Sequence, residues 1–260
     1  MTLLWLRKLI SFFFSKLTKR KIALITGGAK RIGRTIAITL AKNGIDVVLH
    51  CNHSSEQAEA LCLELQSFGV HAWIFKADFS SNDQLTNLLP QILETTGSLD
   101  YLINSASIFP SDNFHNIEIS NILENIQINA WAPFVLSREF AKHCDSGKII
   151  NLLDTRVNKI DTQHLSYLLS KKILLSLTET LAIELAPHFT VNAVAPGLVL
   201  PPEGKDHQYL ENMARDILLK RPGSPGDVAD AVLYLINSNF ISGQVLFIDG
   251  GERLKEKKHG

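Results

Sequence analysis

Cysteine is scarce in this chain of 260 residues: Cys51, Cys62 and Cys144 are odd in number and far apart. That spacing excludes a disulfide framework and a zinc clamp, fits a reducing, cytosol-like (cytoplasmic) compartment, and calls for no metal. A surplus of charge is missing too, since 26 Lys and Arg balance 26 Asp and Glu. The balance is uneven along the chain. Residues 1–20 hold Arg7, Lys8, Lys16, Lys19 and Arg20 with no acid, which leaves 21 basic against 26 acidic groups, a charge of −5, for the rest. A slightly acidic body argues against a nucleic-acid partner. Linkers, repeats and low-complexity runs are absent after residue 20, and 45% hydrophobic residues suffice for one full core.

The opening segment MTLLWLRKLISFFFSKLTKR departs from this plain pattern. Leu3, Leu6, Ile10, Phe13, Phe14 and Leu17 recur at helical spacing, with the cations and serines mostly opposite. Arg7 and Lys8 interrupt the apolar run too early for a spanning helix, and no small-residue cleavage site follows. Two readings stay open. One is a basic amphipathic helix that contacts a membrane surface or serves as an organelle presequence. The other is a helix packed on its own subunit or a neighbour, or a start codon assigned too far upstream.

From Lys21 onward, short β-branched runs alternate with longer amphipathic ones: IALIT, DVVLHC, HAWIFKAD, YLINSAS, KIINLLD, TVNAVAPG and QVLFIDGG are separated by helical patterns. Strands that are apolar throughout belong in a parallel sheet covered on both faces. The alternation therefore predicts an α/β fold, a single Rossmann-like doubly wound parallel sheet with helices on both faces and its ligand at the carboxyl ends of the strands. The segment from Leu200 to Lys220, interrupted by Pro201, Pro202 and Gly204, reads either as a substrate lid or as a surface connection.

The first strand runs into Thr26-Gly27-Gly28-Ala29-Lys30-Arg31-Ile32-Gly33 and straight into a helix. Glycines there let the backbone approach a diphosphate, and the helix N-terminus supplies free N–H groups. Where the second strand ends, His50-Cys51-Asn52-His53-Ser54-Ser55 has no carboxylate to receive the ribose hydroxyls of NAD. With Lys30 and Arg31 beside the same pocket, NADPH is favoured over NADH. Of the nine histidines, His53 is the one placed to matter, and His164 reads as a loop residue at the cleft rim.

Tyr167 and Lys171 stand one helical turn apart after the strand KIINLLD. A nearby ammonium is expected to lower the phenol's pKa, so that Tyr167 delivers a proton while Lys171 also holds the nicotinamide ribose. Asp154 lies thirteen residues ahead of Tyr167 and reads either as part of the proton relay or as the cap of the following turn. The relay reading requires burial to raise its pKa.

These features resemble the short-chain dehydrogenase/reductase family over about Lys21 to Gly251. The resemblance implies that Gly27 and Gly33 form the dinucleotide turn, with Ile32 beside them. It puts Asp78 near the adenine, Asn104 and Ala106 in the fourth-strand segment, and Pro196 and Gly197 beside the nicotinamide. It implies that Asn129 holds a relay water and that Tyr167 and Lys171 are the catalytic pair. Three departures stand out: Arg31 replaces a glycine of the turn, Ser107 replaces the glycine closing the fourth-strand segment, and Asp154 replaces the catalytic serine. Together with Phe109 and LHCNHS they resemble pteridine reductases and dihydromonapterin reductases, which implies that Arg31 and Ser107 contact cofactor phosphate and pterin and that Phe109 stacks on the ring. His53 and Ser54 then belong to the cofactor site, and Ser107, Phe109, Asp154 and Tyr167 to the substrate site.

The expected division is an extension over 1–20, an NADP-binding reductase body over 21–253 and a charged tail over 254–260. The expected reaction is NADPH-dependent reduction of a dihydropterin or dihydrofolate, in a homotetramer of the kind the family implies. Reduction of another carbonyl substrate, such as a 3-oxoacyl thioester, is the alternative enzyme. A membrane-tethered NADPH-binding protein without turnover is the alternative of another class.

Overall fold

The computed structural model describes residues 20–254 apart from 160 and 203. The basic opening segment, up to residue 19, and the last six residues lie outside the described residues, so the readings made for them are not carried further.

Seven strands form one parallel sheet: β1 (Ile22–Ile25), β2 (Asp46–Cys51), β3 (Ala72–Lys76), β4 (Tyr101–Asn104), β5 (Gly147–Leu152), β6 (Phe189–Pro196) and β7 (Val245–Ile248), in the order 3-2-1-4-5-6-7. Every pairing is parallel. The chain winds outward from β1 to β3, then crosses back to place β4 beside β1, and the reversal opens a crevice at the carboxyl ends of these two strands.

The helices are α1 (Arg31–Lys42), α2 (Ser55–Ser67), α3 (Asn82–Thr96), α4 (Ile119–Ile126), α5 (Ala132–His143), α6 (Leu165–Glu184), α7 (His207–Ala214) and α8 (Pro225–Asn237). The period-2 alternation of strand side chains divides the core in two. Ala23, Ile25, Val47 and Leu49 point to one face, against Ile36 and Leu40 of α1, Leu61 and Leu65 of α2, and Val232 and Leu235 of α8. Ile22, Leu24 and Val48 point to the other, against Leu85 and Leu88 of α3, Leu136 and Phe140 of α5, and Leu181 of α6. Both faces are thereby dry, which is why the strand sequences read as apolar runs.

Two details differ from a plain alternating pattern. The long helical stretch before Cys144 is broken by a π-helical turn over Gln127–Trp131, which carries Asn129. The segment between β6 and α8 holds a helix of its own, α7, capped by Asp206, whose Oδ1 accepts from the Tyr209 N–H at 3.1 Å. No helix among the described residues is long and apolar enough to cross a membrane.

Candidate active site

The crevice is a cleft of about 580 Å³, within the usual range for small-molecule sites. Its two ends are built differently.

At the nucleotide end, Thr26 Oγ1 accepts from the N–H groups of Ser105 and Ala106, both at 3.0 Å, and so ties the end of β1 to the end of β4. Gly27 has φ +62°, and a Cβ on it would lie 2.8 Å from Ala106 Cα. A Cβ on Gly33 would collide with the Gly27 carbonyl oxygen. Backbone therefore approaches backbone more closely here than any side chain allows. The α1 N-cap, Lys30, is extended and makes no side-chain cap, which leaves the first-turn N–H groups to an outside acceptor. Arg31 has φ +51°, a left-handed conformation costing about 1–2 kcal/mol for a residue with a Cβ. Its guanidinium donates from Nη2 to the Pro201 carbonyl at 2.8 Å, reaching from the turn to the segment ahead of α7.

This cradle, closed to side chains and open to an anion at a helix N-terminus, fits a nicotinamide dinucleotide. Gly27, Lys30, Arg31, Ile32, Gly33, Ala106, Ser107, Tyr167, Lys171, Pro196 and Gly197 all line the cleft, as do Phe109 and Asp154. His53, Ser54, Asp78, Asn104 and Asn129 are not among its lining residues. Asp78 follows β3 and accepts from the Ser80 N–H at 2.9 Å; that bond and the nearby His53 hold its pKa below the ordinary value. Asn104 is buried and donates to Asn151 Oδ1 at 2.8 Å. Asn129 is fully buried, with Oδ1 accepting from Ser107 Oγ and the Ile108 N–H and Nδ2 donating to the Ile108 carbonyl, Asn125 and Ser170. It fastens the loop after β4 to α6 from behind the cleft.

At the chemical end, Asp154 caps the 3-10 turn Thr155–Asn158 by accepting from the Arg156 N–H at 2.8 Å. The same carboxylate also accepts from Tyr167 Oη at 3.1 Å, so the cap and the catalytic-end contact involve one acid. Arg156 grips it bidentately, Nε to Oδ1 at 3.0 Å and Nη2 to Oδ2 at 2.8 Å, while Nη1 donates to Asp161 at 2.8 Å.

These contacts correct two expectations. Burial alone would raise the pKa of Asp154, but the hydrogen bonds and charge of Arg156, with a contribution from Tyr167, outweigh it and leave the carboxyl below its ordinary value. The acid is therefore a carboxylate at neutral pH and not a stored proton. Tyr167 moves the opposite way to that expected: burial and the Asp154 charge push its pKa well above that of a free phenol. The phenol stays protonated. Lys171 is fully inside, donates from Nζ to the Leu152 carbonyl at 2.8 Å, and is pushed down to about 8 by burial.

Sequence reasoning missed Arg156 and undervalued His164. The signal for Arg156 was its place two residues after an acid in a tight turn. Its guanidinium lies 4.9 Å from the Phe109 ring centroid and 5.6 Å from that of Tyr167. His164 is the α6 N-cap residue, stacks on Phe109 at 4.0 Å and contacts the Pro110 carbonyl through Nδ1 at 2.8 Å. Phe109 meets Tyr167 edge-on at 4.6 Å and remains 44% exposed toward the cleft. Asp112, buried, completes the fastening: its carboxylate accepts from the Ser166 N–H at 3.1 Å and from the Ser166 hydroxyl, capping α6 from another segment.

A seven-stranded parallel sheet, a glycine turn closed to side chains and a Tyr–Lys pair at the cleft define a nicotinamide-dependent oxidoreductase of the short-chain type. The chain belongs to the short-chain dehydrogenase/reductase family. Residues 27–252 match the family model described as enoyl-(acyl carrier protein) reductase. The 3-oxoacyl-[acyl-carrier-protein] reductase FabG of Staphylococcus epidermidis is 30% identical over 89% of this chain and 98% of its own. Among solved structures, FolM alternative dihydrofolate reductase 1 from Brucella suis, in complex with NADP, is 31% identical with a TM-score of 0.87, covering 93% of this chain and 98% of that one. Acetoin dehydrogenase YohF from Salmonella typhimurium is 26% identical with a TM-score of 0.83, covering 91% and 98%.

Proposed function

We propose that the protein reduces a dihydropterin or dihydrofolate at a ring C=N bond. The cofactor is NADPH, which supplies the hydride when bound. Gly27, Gly33 and the start of α1 would form its cradle, Lys30 and Arg31 add positive charge beside it, and Lys171, which lines the cleft, would hold the nicotinamide ribose.

The observation that carries the substrate reading is the ionised Asp154 carboxylate 3.1 Å from the Tyr167 hydroxyl. A carbonyl oxygen gaining negative charge needs a second donor, and a carboxylate offers an acceptor and a repulsion instead. A C=N nitrogen needs one proton as the adjacent carbon receives hydride, and Tyr167 holds that proton. Asp154 orients the phenol by accepting from it and disfavours a lasting tyrosinate, so Tyr167 recovers its proton from solvent. Phe109 gives a flat ring an aromatic partner worth about 0.5–1.5 kcal/mol beyond area burial. The likeness to the FolM structures supports the same substrate class.

A second reading, reduction of a 3-oxoacyl thioester, is favoured by the FabG relatives. The deciding experiment follows NADPH absorbance with 7,8-dihydropterins, dihydrofolate and an acetoacetyl thioester, in wild type and Asp154→Ser. Turnover of a dihydropterin that Asp154→Ser abolishes is the expected result. Thioester turnover alone, retained or improved in Asp154→Ser, overturns the pterin reading. Assembly as a homotetramer belongs to the same proposal; half-exposed Leu169 and Ile173 on α6 would be covered, and sedimentation equilibrium reads the mass.

A further inference from the structure

His50 is a polar residue near the end of a strand whose middle, Val47 to Leu49, is apolar and fully buried, and it lies in no part of the chemistry described above. It is 3% exposed, at the penultimate position of β2, and its ring stacks on Phe79 with centroids 4.2 Å apart and planes within 3°. Its two ring nitrogens meet backbone groups of opposite kind: Nε2 faces the Ala77 carbonyl at 3.0 Å, and the Gly27 N–H donates to Nδ1 at 3.3 Å. Its main-chain carbonyl also accepts from the Gly28 N–H at 3.1 Å.

One tautomer satisfies both ring contacts. With the proton on Nε2, the ring donates to Ala77 and offers its Nδ1 lone pair to Gly27. A carbonyl cannot donate and an N–H cannot accept, so the reverse tautomer breaks both bonds, and a doubly protonated ring breaks the one to Gly27. Burial pushes the pKa of His50 down to about 4, so the ring is neutral under working conditions and the lone pair is available.

Gly27 is one of the residues in the cofactor turn whose backbone is tightly constrained. Its φ of +62° is a conformation that glycine has no side chain of its own to hold, and its Cα side is already pressed on Ala106. The N–H groups of Gly27 and Gly28 are both occupied by His50, so a diphosphate would be left to the N–H groups at the start of α1. We propose that His50 is a positioning residue for NADPH, its Nδ1 fixing the Gly27 peptide so that the turn is formed before the cofactor arrives. The same imidazole bridges the ends of β2 and β3, so the turn is registered against two strands and not only the one it follows.

The test separates the two ring contacts. In His50→Asn the side-chain oxygen replaces the Nδ1 acceptor for Gly27 and the contact to Ala77 is lost. In His50→Gln the amide nitrogen reaches toward Ala77 and the Gly27 acceptor is lost. NADPH affinity is read by fluorescence titration without substrate, so the outcome is independent of which compound the enzyme reduces. Leaving the Gly27 N–H unpaired is expected to weaken NADPH about tenfold in His50→Gln, with His50→Asn within about twofold of wild type, while both lose thermal stability. Equal weakening in the two variants, or wild-type affinity in His50→Gln, overturns the proposal. If either variant does not fold, the wild type decides: long-range proton–nitrogen spectra of the His50 ring are expected to show the neutral form with its proton on Nε2, and a proton on Nδ1 overturns the assignment.

Discussion

The two ends of the cleft are built on different scales of the chain. The nucleotide end is a contiguous run, Thr26 to Gly33, that works through backbone atoms and close approach. The chemical end gathers Phe109 from the loop after β4, Asp154 and Arg156 from the turn after β5, His164 from the N-cap of α6, and Tyr167 and Lys171 from α6 itself. A local site is read from its own residues; a gathered one takes its charge states from burial and from the partners that the fold sets around each group. Asp154 illustrates this, since burial and Arg156 push its pKa in opposite directions and Arg156 wins. Asp112 and Asn129 belong to the same contrast, because they fasten the Phe109 loop to the helix that carries Tyr167 and Lys171.

The comparison can be broken at one end at a time. Tyr167→Phe removes the proton donor and is expected to lower kcat by about 10³-fold with NADPH affinity unchanged, read by steady-state rates and fluorescence titration. Loss of cofactor affinity in the same variant would mean that the two ends are not separable. Gly27→Ala is its mirror image: the left-handed backbone and the 2.8 Å approach to Ala106 make it a defect of the nucleotide end, expected to weaken NADPH at least tenfold and to cost about 1–2 kcal/mol in denaturant unfolding.

Arg156→Gln sharpens the comparison at the gathered end. It leaves Asp154 with burial as the dominant influence, so the carboxyl pKa rises, the acid limb of the pH–rate profile moves up, and stability falls by about 2 kcal/mol. An acid limb that stays in place would show that Asp154 takes no part in turnover. Proton linkage separates the ends again. Lys171 is cationic below about 8 and neutral above it, so kcat/KM is expected to fall as pH rises through that value, about tenfold for each unit beyond. His50 acts in the opposite range: above pH 6.5 it is neutral folded or unfolded, whereas between 6.5 and about 4 only the unfolded chain takes up the proton. Stability therefore falls as pH drops through that window, and His50→Asn removes this part of the fall in urea titrations. The smallest effect belongs to Asp112→Asn, which weakens the cap of α6 and is expected to raise KM for the proposed dihydropterin roughly threefold with kcat held.

Sequence patterning by itself determined the sheet, because strands buried on both faces must be apolar throughout and helices covering them must be amphipathic; all seven runs from IALI to VLFI became strands in one parallel sheet. It also determined the cofactor turn, where glycine spacing and an adjoining helix are local requirements, and the Tyr167–Lys171 pair, one turn apart on a single helix. It pointed to Asp154 but gave its charge state the wrong direction, and likewise that of Tyr167, because neither can be known until Arg156 is folded back beside them. His50 was passed over for His53, since a buried imidazole and an exposed one look alike in a string of letters. Only the tertiary structure decided which polar groups meet: hydrogen bonds and desolvation act over a few ångströms in space, between residues such as Gly27 and His50, or Asp112 and Ser166, that lie 23 and 54 positions apart in the chain.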